Sequence, residues 1–139
     1  MNKPTFKNKN EQQTLLIYAN SSAAIGGGHV MRQIALAQGA HKNGWQVVFI
    51  FRECSEAIIQ RILDEGFSIF ELTGTSLAEQ VAVHNAHAIV IDDYYLTDIE
   101  QENIKQLPIP VVYFDDQIDQ QPYLSSTIVN IDANIVVNS

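Results

Sequence analysis

Three glycines, a histidine and an arginine stand together early in the chain, in the stretch IGGGHVMR (residues 25–32). Glycines let a ligand approach the backbone closely, and the free N–H groups at a helix start attract an anion. The positive end of the helix dipole disfavours imidazolium, so a neutral His29 is suited to act as a general base. Arg32 follows on the same helical face and could bind a phosphate or a carboxylate. A tight strand-to-helix turn capped by His29 is an equally open interpretation.

Neither of two common nucleotide-binding motifs matches this glycine loop. A Walker loop would continue with Gly-Lys and a hydroxyl residue, and the dinucleotide fingerprint would require a third glycine where Met31 stands. The loop therefore indicates contact with a reacting group rather than with a nucleotide cofactor, and no cofactor is predicted.

Acidic residues collect at the ends of two later apolar runs. AIVID ends in Asp92 and leads to Asp93 and Tyr94, while VVYFDD ends in Asp115 and Asp116. In open α/β sheets, ligands bind beyond the carboxyl ends of the strands, so these side chains are candidates for substrate contact. Acids at such positions also serve as helix caps or solvated loop residues, and both interpretations stay open.

Three further residues could do chemistry but are predicted not to. His84 and His87 have the spacing of two metal ligands on one helix face, but no third ligand is near in the sequence, which favours a solvated surface. Cys54 lies between a strand and a helix, yet nothing pairs it with a base, so we expect an inert thiol. No metal site is predicted.

The elements that must position these residues alternate along the chain. Apolar runs between turn formers predict strands, and apolar residues at helical spacing before Gly or Pro predict helices. The predicted strands are 14–20, 45–51, 67–72, 88–92 and 110–116, the helices are 29–42, 56–65, 77–84 and 98–107, and one or two short apolar runs follow. The aromatic residues assigned to the core are Trp45, Phe49, Phe51, Phe67 and Phe70. Strands that are apolar throughout and alternate with helices indicate a doubly wound, Rossmann-like α/β domain with a mainly parallel sheet.

Charge and composition narrow the function classes. The 139 residues carry a net charge of −8, and from residue 14 onward five Lys and Arg face fifteen Asp and Glu, a balance of −10. Nucleic acids and anionic membranes need cationic surfaces, so neither is an expected partner. No apolar run is long enough to span a bilayer. Residues 1–13 lack the apolar core of a signal peptide, so we expect a disordered tail and a cytoplasmic location.

Three stretches together resemble a known family, the UDP-sugar hydrolases of pseudaminic acid biosynthesis, which are relatives of spore-coat polysaccharide proteins and of GT-B glycosyltransferases. IYANSSAAIGGGHVMR is similar to the family opening, VIDDYYL (Val90–Leu96) resembles an Asp-His-Tyr signature, and VVYFDDQ (Val111–Gln117) resembles a double aspartate. The matching residues are Ile17, Ala19, Ser22, Ile25, Gly26, Gly28, His29, Arg32, Asp92, Tyr94, Asp115 and Asp116. The resemblance covers about residues 14 to 130.

The resemblance implies metal-independent hydrolysis of a UDP-linked diacetamido-trideoxyhexose to UDP and free sugar. His29 would be the catalytic base that deprotonates the water attacking the anomeric carbon. The residues implied in substrate binding are Ser22, Gly26, Gly27, Gly28, Arg32, Asp92, Tyr94, Asp115 and Asp116. Such enzymes have two Rossmann-like domains, of which the C-terminal one usually holds the nucleotide. Residues 14–139 would be the N-terminal, sugar-side domain, with little turnover expected from them alone.

Some residues depart from the family pattern, and two other functions stay open. Tyr18 and Asn20 stand where the family usually has Arg and Asp, and Asp93 stands where it has His, which bears on the identity of the sugar. A GT-B glycosyltransferase is the first alternative, because a cell-wall enzyme of that kind has a similar Gly-Gly-His loop. The acidic body argues against the membrane-facing patch that a lipid-linked acceptor would need. A non-catalytic sugar-binding domain is the second alternative.

Overall fold

The computed structural model describes residues 12–21, 28–92, 96–114, 127–130 and 135–136, without the side chains of residues 29, 127–130 and 135–136. The strands are β1 (Thr14–Ala19), β2 (Gln46–Phe51), β3 (Ser68–Glu71), β4 (Ala88–Asp92), β5 (Val111–Phe114), β6 (Thr127–Asn130) and β7 (Ile135–Val136). The helices are α1 (Gly28–Lys42), α2 (Glu56–Asp64), α3 (Leu77–Val83) and α4 (Asp98–Lys105). All nine elements predicted between residues 14 and 116 are present, and their ends differ from the prediction by at most two residues. The predicted tail over residues 1–13 lies outside the described residues except for its last two.

The strands form one sheet in the order β3-β2-β1-β4-β5-β6-β7. Neighbours from β3 through β6 pair in parallel, and β7 pairs antiparallel with β6. The first six strands follow the strand order of the Rossmann fold, which confirms the predicted fold class. Strands β1 and β4 lie side by side, and the order of the sheet reverses between them. Ligands of open α/β sheets bind at the carboxyl ends of such a pair.

Each face of the sheet carries its own core, because successive residues of a strand point to opposite sides. Helices α1 and α2 cover one face, and α3 and α4 cover the other. The first core includes Ile17, Phe49 and Val90 from the strands and Val30, Ile34 and Ile62 from the helices. The second includes Leu16, Ile50 and Ile91 with Leu77, Val81 and Ile104. This two-sided burial explains why the central strands are apolar along their whole length.

Local sequence signals set the helix ends. Ser55 caps α2, and Ser76 and Thr97 each form a capping box at the start of α3 and α4. In the second of these boxes, Thr97 accepts from the backbone of Glu100 while the Glu100 carboxylate accepts from the backbone of Thr97. Gly66, with φ of 91°, follows α2 in a backbone conformation that other residues rarely adopt.

One predicted core residue is misplaced. Phe49 and Phe67 are buried and Trp45 and Phe51 are half-buried, but Phe70 keeps 46 % of its surface exposed. The assignment of Phe70 to the core is therefore wrong. It lies on β3, which among the described strands pairs only with β2 and forms an edge of the sheet, and the ring of His84 packs against Phe70 with centroids 4.9 Å apart.

Candidate functional site

Polar residues lie buried where β1 and β4 end, at the point where the sheet order reverses. Asn20 and Ser21 follow β1 and are 7 % and 2 % exposed, and Asp92, the last residue of β4, is 0 % exposed. Ala19 pairs in register with Asp92, so the ends of the two strands lie side by side. The first and second sequence signatures therefore meet at the edge of the sheet where a ligand is expected.

A two-pronged ion pair joins Asp92 to the start of α1. Arg32 Nε donates to Asp92 Oδ2 at 2.8 Å, and Arg32 Nη2 donates to Asp92 Oδ1 at 2.7 Å. Gln33 Nε2 also donates to Asp92 Oδ2, at 2.7 Å. An ionised carboxylate in the interior requires such donors, because an unpaired buried charge is very unfavourable. Arg32 thus binds a carboxylate, as the sequence allowed, and this carboxylate belongs to the chain itself. We call Arg32, Gln33 and Asp92 the Asp92 clamp.

The amide of Gln33 donates to Asp92 through Nε2, but its oxygen Oε1 has no partner among the described residues. Its side chain is 0 % exposed, and no group in the described part of the chain donates to its Oε1. Only the NH₂ end of an amide can donate to a carboxylate, so the bond to Asp92 decides which way the amide points. An unsatisfied buried acceptor costs about 1–3 kcal/mol. With respect to the described residues, Gln33 therefore bears a cost that an apolar side chain at this position would avoid.

Arg32 connects the clamp to β5 as well. Its guanidinium carbon lies 5.8 Å from the centroid of the ring of Phe114, the last residue of β5. A cation over an aromatic face contributes about 0.5–1 kcal/mol at a partly exposed site. Arg32 comes from the first signature stretch, Asp92 from the second and Phe114 from the third. All three signatures thus converge on the side chain of Arg32.

Asn20 and Ser21 hold the loop between β2 and α2 at the same edge. Asn20 Oδ1 accepts from the backbone N–H groups of Arg52 and Glu53, at 2.7 and 3.0 Å. The Ser21 hydroxyl accepts from the backbone N–H of Ser55 at 3.1 Å, and the Ser21 N–H donates to the Glu53 carbonyl at 2.9 Å. An aspartate at position 20 would offer the same acceptor, so the departure of Asn20 from the family pattern preserves this contact.

A second arginine lies at this edge, on the side of α4. Arg52 Nε donates to Glu100 Oε2 at 2.7 Å, in a pair whose arginine side chain is 46 % exposed. Burial alone would lower the pKa of Arg52, but Tyr18 and the Glu100 carboxylate raise it above its ordinary value. Tyr18, a second departure from the family pattern, is 1 % exposed and belongs to the core beneath Arg52. Arg32 and Arg52 therefore both lie at the carboxyl edge, each held by an acid.

The glycine loop and its histidine are described only at the helix start. Gly28 and His29 are the first two residues of α1, so His29 lies within the first turn rather than at a capping position before it. A Cβ added at Gly28 would meet no atom of the described residues within 4 Å. The other predicted site residues lie outside the described residues; they are Ser22, Gly26, Gly27, Tyr94, Asp115 and Asp116.

The weaker candidates have structural partners. His84 shares a hydrogen bond with Gln80 at 3.0 Å, and burial lowers the pKa of its ring. His87 Nδ1 accepts from the backbone of Thr14 at 3.1 Å, at the amino end of the sheet. No group of three His, Cys, Asp or Glu in the described ranges is arranged to hold a metal. Burial raises the pKa of Cys54, although its hydrogen bond with Ser21 lowers it in part.

Gln33 is the site residue that the sequence prediction missed. The sequence does contain a signal for Gln33. The buried face of α1 includes Val30, Ile34 and Ala37, and position 33, three residues after Val30, lies on the same face. A glutamine in that position is a polar residue on a buried helix face. Such a residue requires a polar partner inside the protein, which here is Asp92.

Comparisons with known proteins give a distant relative. No family model matches the chain. A protein of Methanocaldococcus jannaschii, "Uncharacterized protein MJ1062", is 26 % identical over 117 residues, which cover 84 % of this chain and 24 % of that protein. The chain thus spans about a quarter of the length of the curated relative it matches. No helix in the described ranges has both the length and the apolar character needed to cross a membrane.

Proposed function

We propose that residues 14–139 are the sugar-side domain of a metal-independent, cytoplasmic nucleotide-sugar hydrolase. Its substrate is a UDP-linked diacetamido-trideoxyhexose, and the reaction, which belongs to pseudaminic acid biosynthesis, releases UDP and the free sugar. His29 is the catalytic base. A second, C-terminal domain of GT-B type holds the nucleotide.

The convergence of the three signature stretches on Arg32 carries this proposal. Arg32 contacts Asp92 through two hydrogen bonds and Phe114 through its guanidinium face. Asp92 and Phe114 are the last residues of β4 and β5, so the polar residues that follow each strand leave from the same edge. Motifs that are about sixty and eighty residues away from the glycine loop in sequence would gather around one ligand at this edge.

The proposed hydrolysis needs a base near the anomeric carbon. It needs neither a redox group nor a covalent bond between the enzyme and the sugar. His29 takes a proton from a water molecule, the water oxygen forms a bond to the anomeric carbon, and the bond from that carbon to the UDP oxygen breaks. UDP leaves with the electron pair. Backbone N–H groups at the start of α1 favour the negative charge of a leaving diphosphate nearby.

The extent of the relative supports a role within a larger protein. The archaeal relative matches this chain over about a quarter of its own length, so in that protein the matched segment is accompanied by much further sequence. Such further sequence would leave room for the second domain of the two-domain arrangement of GT-B enzymes.

Hydrolysis by the protein from the complete reading frame tests the proposal. We expect release of UDP from a UDP-linked diacetamido-trideoxyhexose without any added acceptor, with and without a chelator. In water enriched in ¹⁸O the label should enter the free sugar and not UDP, since water attacks carbon. The variant His29→Ala should lose at least a hundredfold in kcat, in line with the usual contribution of a general base. Gln38→Met, an exposed change on the same helix, is the control.

The two alternatives predict other outcomes. A glycosyltransferase would release UDP only when a hydroxyl acceptor is present and would link the sugar to that acceptor. A sugar-binding domain would bind the nucleotide sugar with no release of UDP, and His29→Ala would then change affinity alone. Either result would refute the hydrolase.

A further inference from the structure

We propose that Gln33 and Asp92 are positioning residues for His29: together with Arg32 they hold the first turns of α1 in place, and they act on the reaction through His29 rather than by touching the substrate. The inference rests on the proposed function, because it concerns the base of that reaction. It assigns a role to Gln33, which no sequence motif includes, and it changes the expected role of Asp92 from substrate contact to support.

The helical period places positions 29, 32 and 33 on one face of α1. Positions three and four residues apart lie on one face of an α-helix, so residues 32 and 33 share a face with position 29, one turn closer to the start of the helix. Arg32 and Gln33 both bond to Asp92 at 2.7–2.8 Å. The face of α1 that includes position 29 is therefore the face attached to the end of β4.

Two side chains of the Asp92 clamp are completely buried. The side chains of Asp92 and Gln33 are 0 % exposed, so neither can reach a ligand at the edge of the sheet without a rearrangement. The carboxylate lies at the end of β4, a strand that has a hydrogen-bonded neighbour on each side. A helix attached there by three short hydrogen bonds has its start fixed relative to the sheet, and with it the position of residue 29.

Gln33 Oε1 is buried without a donor from the described residues, although Asp92 already has two donors from Arg32. Arg32 alone reaches both oxygens of Asp92, so Gln33 is not needed to balance the charge. The chain nevertheless retains an amide whose Oε1 receives no donor from the described residues. Local costs of this kind concentrate where function requires them. What Gln33 adds is a second point of attachment, one residue along the helix from the first, which prevents α1 from rotating about the Arg32 contact.

Kinetics of the complete protein provide the main test, with Gln33→Met as the variant. Methionine has nearly the same shape and removes both the donor and the unsatisfied acceptor, so the protein should fold, as thermal unfolding will show. We expect kcat to fall at least tenfold, toward the hundredfold or so that a misplacement of about 1 Å can cause, with KM unchanged within about twofold. Asp92→Asn, which keeps the shape of the side chain, should change kcat in the same direction.

Gln38→Met is the matched control. Gln38 lies on the same helix, and its Nε2 likewise donates to a carboxylate, that of Glu65 at 2.7 Å, but this contact is exposed. The same chemical change there should leave kcat and KM unchanged within about twofold.

A double-mutant cycle separates positioning of His29 from other effects. In the His29→Ala background, Gln33→Met should cause no further loss of kcat, because the group it positions is gone. An equal loss in both backgrounds would overturn the inference, as would a wild-type kcat for Gln33→Met.

Amide hydrogen exchange distinguishes failure of this inference from failure of the proposed function. The backbone N–H groups of residues 32–34 close the first turns of α1. They should exchange at least tenfold faster in Gln33→Met and not in Gln38→Met. If the wild-type protein releases no sugar, the proposed function fails and the catalytic part of this inference fails with it. Unchanged exchange in Gln33→Met would overturn the clamp itself, whatever the activity.

Discussion

Two arginines lie at the carboxyl edge of the sheet, each paired with an acid, and the two pairs differ in burial and connection. Arg32 makes two hydrogen bonds to Asp92, in a pair whose arginine and acid are 25 % and 0 % exposed, whereas Arg52 makes one 2.7 Å contact with Glu100, in a pair whose arginine and acid are 46 % and 15 % exposed. The first pair joins a helix to a central strand, and the second joins a loop to the start of α4. Distance alone does not separate them.

The difference in burial indicates which of the two pairs can hold the elements that it joins in a fixed position. A buried carboxylate cannot exchange its donors for water, so the groups bound to Asp92 must stay in place. Water can replace an exposed partner at little cost, and Arg52 can leave Glu100 without disturbing the fold. We therefore expect the Asp92 clamp to govern both stability and the geometry of α1, and the Arg52–Glu100 pair to govern neither.

The largest effect should follow from removing the buried acid. Asp92→Ala leaves Arg32 and the NH₂ group of Gln33 without their carboxylate, and breaking a buried pair on one side costs about 3–5 kcal/mol. We expect the lower end of that range, because the Arg32 side chain is 25 % exposed and can turn to water. Urea unfolding of wild type and variant measures the difference. A loss below about 1 kcal/mol would contradict the distinction between the two pairs.

An intermediate effect should follow from freeing the loop that carries Arg52. Asn20→Ala removes the acceptor of two part-buried backbone N–H groups, which should lower the free energy of unfolding by about 1–3 kcal/mol. Asn20→Asp retains an acceptor and should cost less than Asn20→Ala. Asn103→Ala, on the exposed surface of α4, serves as the control and should stay within about 0.5 kcal/mol of wild type. Equal losses for the two substitutions at position 20 would refute the acceptor role.

The smallest effect should follow from breaking the exposed pair. Glu100→Gln removes the charge that Arg52 contacts but keeps an oxygen for the capping box with Thr97, since glutamine serves that motif as well. We expect a loss of about 0.2–1 kcal/mol in urea unfolding. Because salt screens exposed charges, the loss should shrink further at 1 M salt, while that of Asp92→Ala should persist. A loss as large as that of Asp92→Ala would remove the contrast between the pairs.

Most of the fold follows from patterns that are local in sequence. The apolar run of β1, the helical spacing of Val30 and Ile34, and the glycine after α2 each identify an element without reference to any other part of the chain. Phe70 shows the limit of that reasoning. Its strand carries the same β-branched and aromatic pattern as its neighbours, but the exposure of Phe70 depends on β3 being the edge of the sheet, which no local pattern encodes.

The candidate site was predictable in its location but not in its contacts. Acids at strand ends and a glycine loop before a helix indicate the carboxyl edge of a parallel sheet, and Asp92, Arg32 and Gly28 do lie there. Gln33 carries no motif, and its role depends on a carboxylate 59 residues away. The roles of His29 and of the residues after β5 stay predictions that kinetics must test.

The sequence by itself determined the class of this fold and the edge of the sheet at which Arg32 and Asp92 lie, because hydrophobic burial and backbone period act residue by residue along the chain. Only the tertiary structure decided that Arg32 binds Asp92, and that Gln33 completes the contact. Arg32 and Asp92 are 60 residues apart in the sequence, and the strand order and register bring them together. The buried carboxylate of Asp92 then requires hydrogen-bond donors from the residues around it.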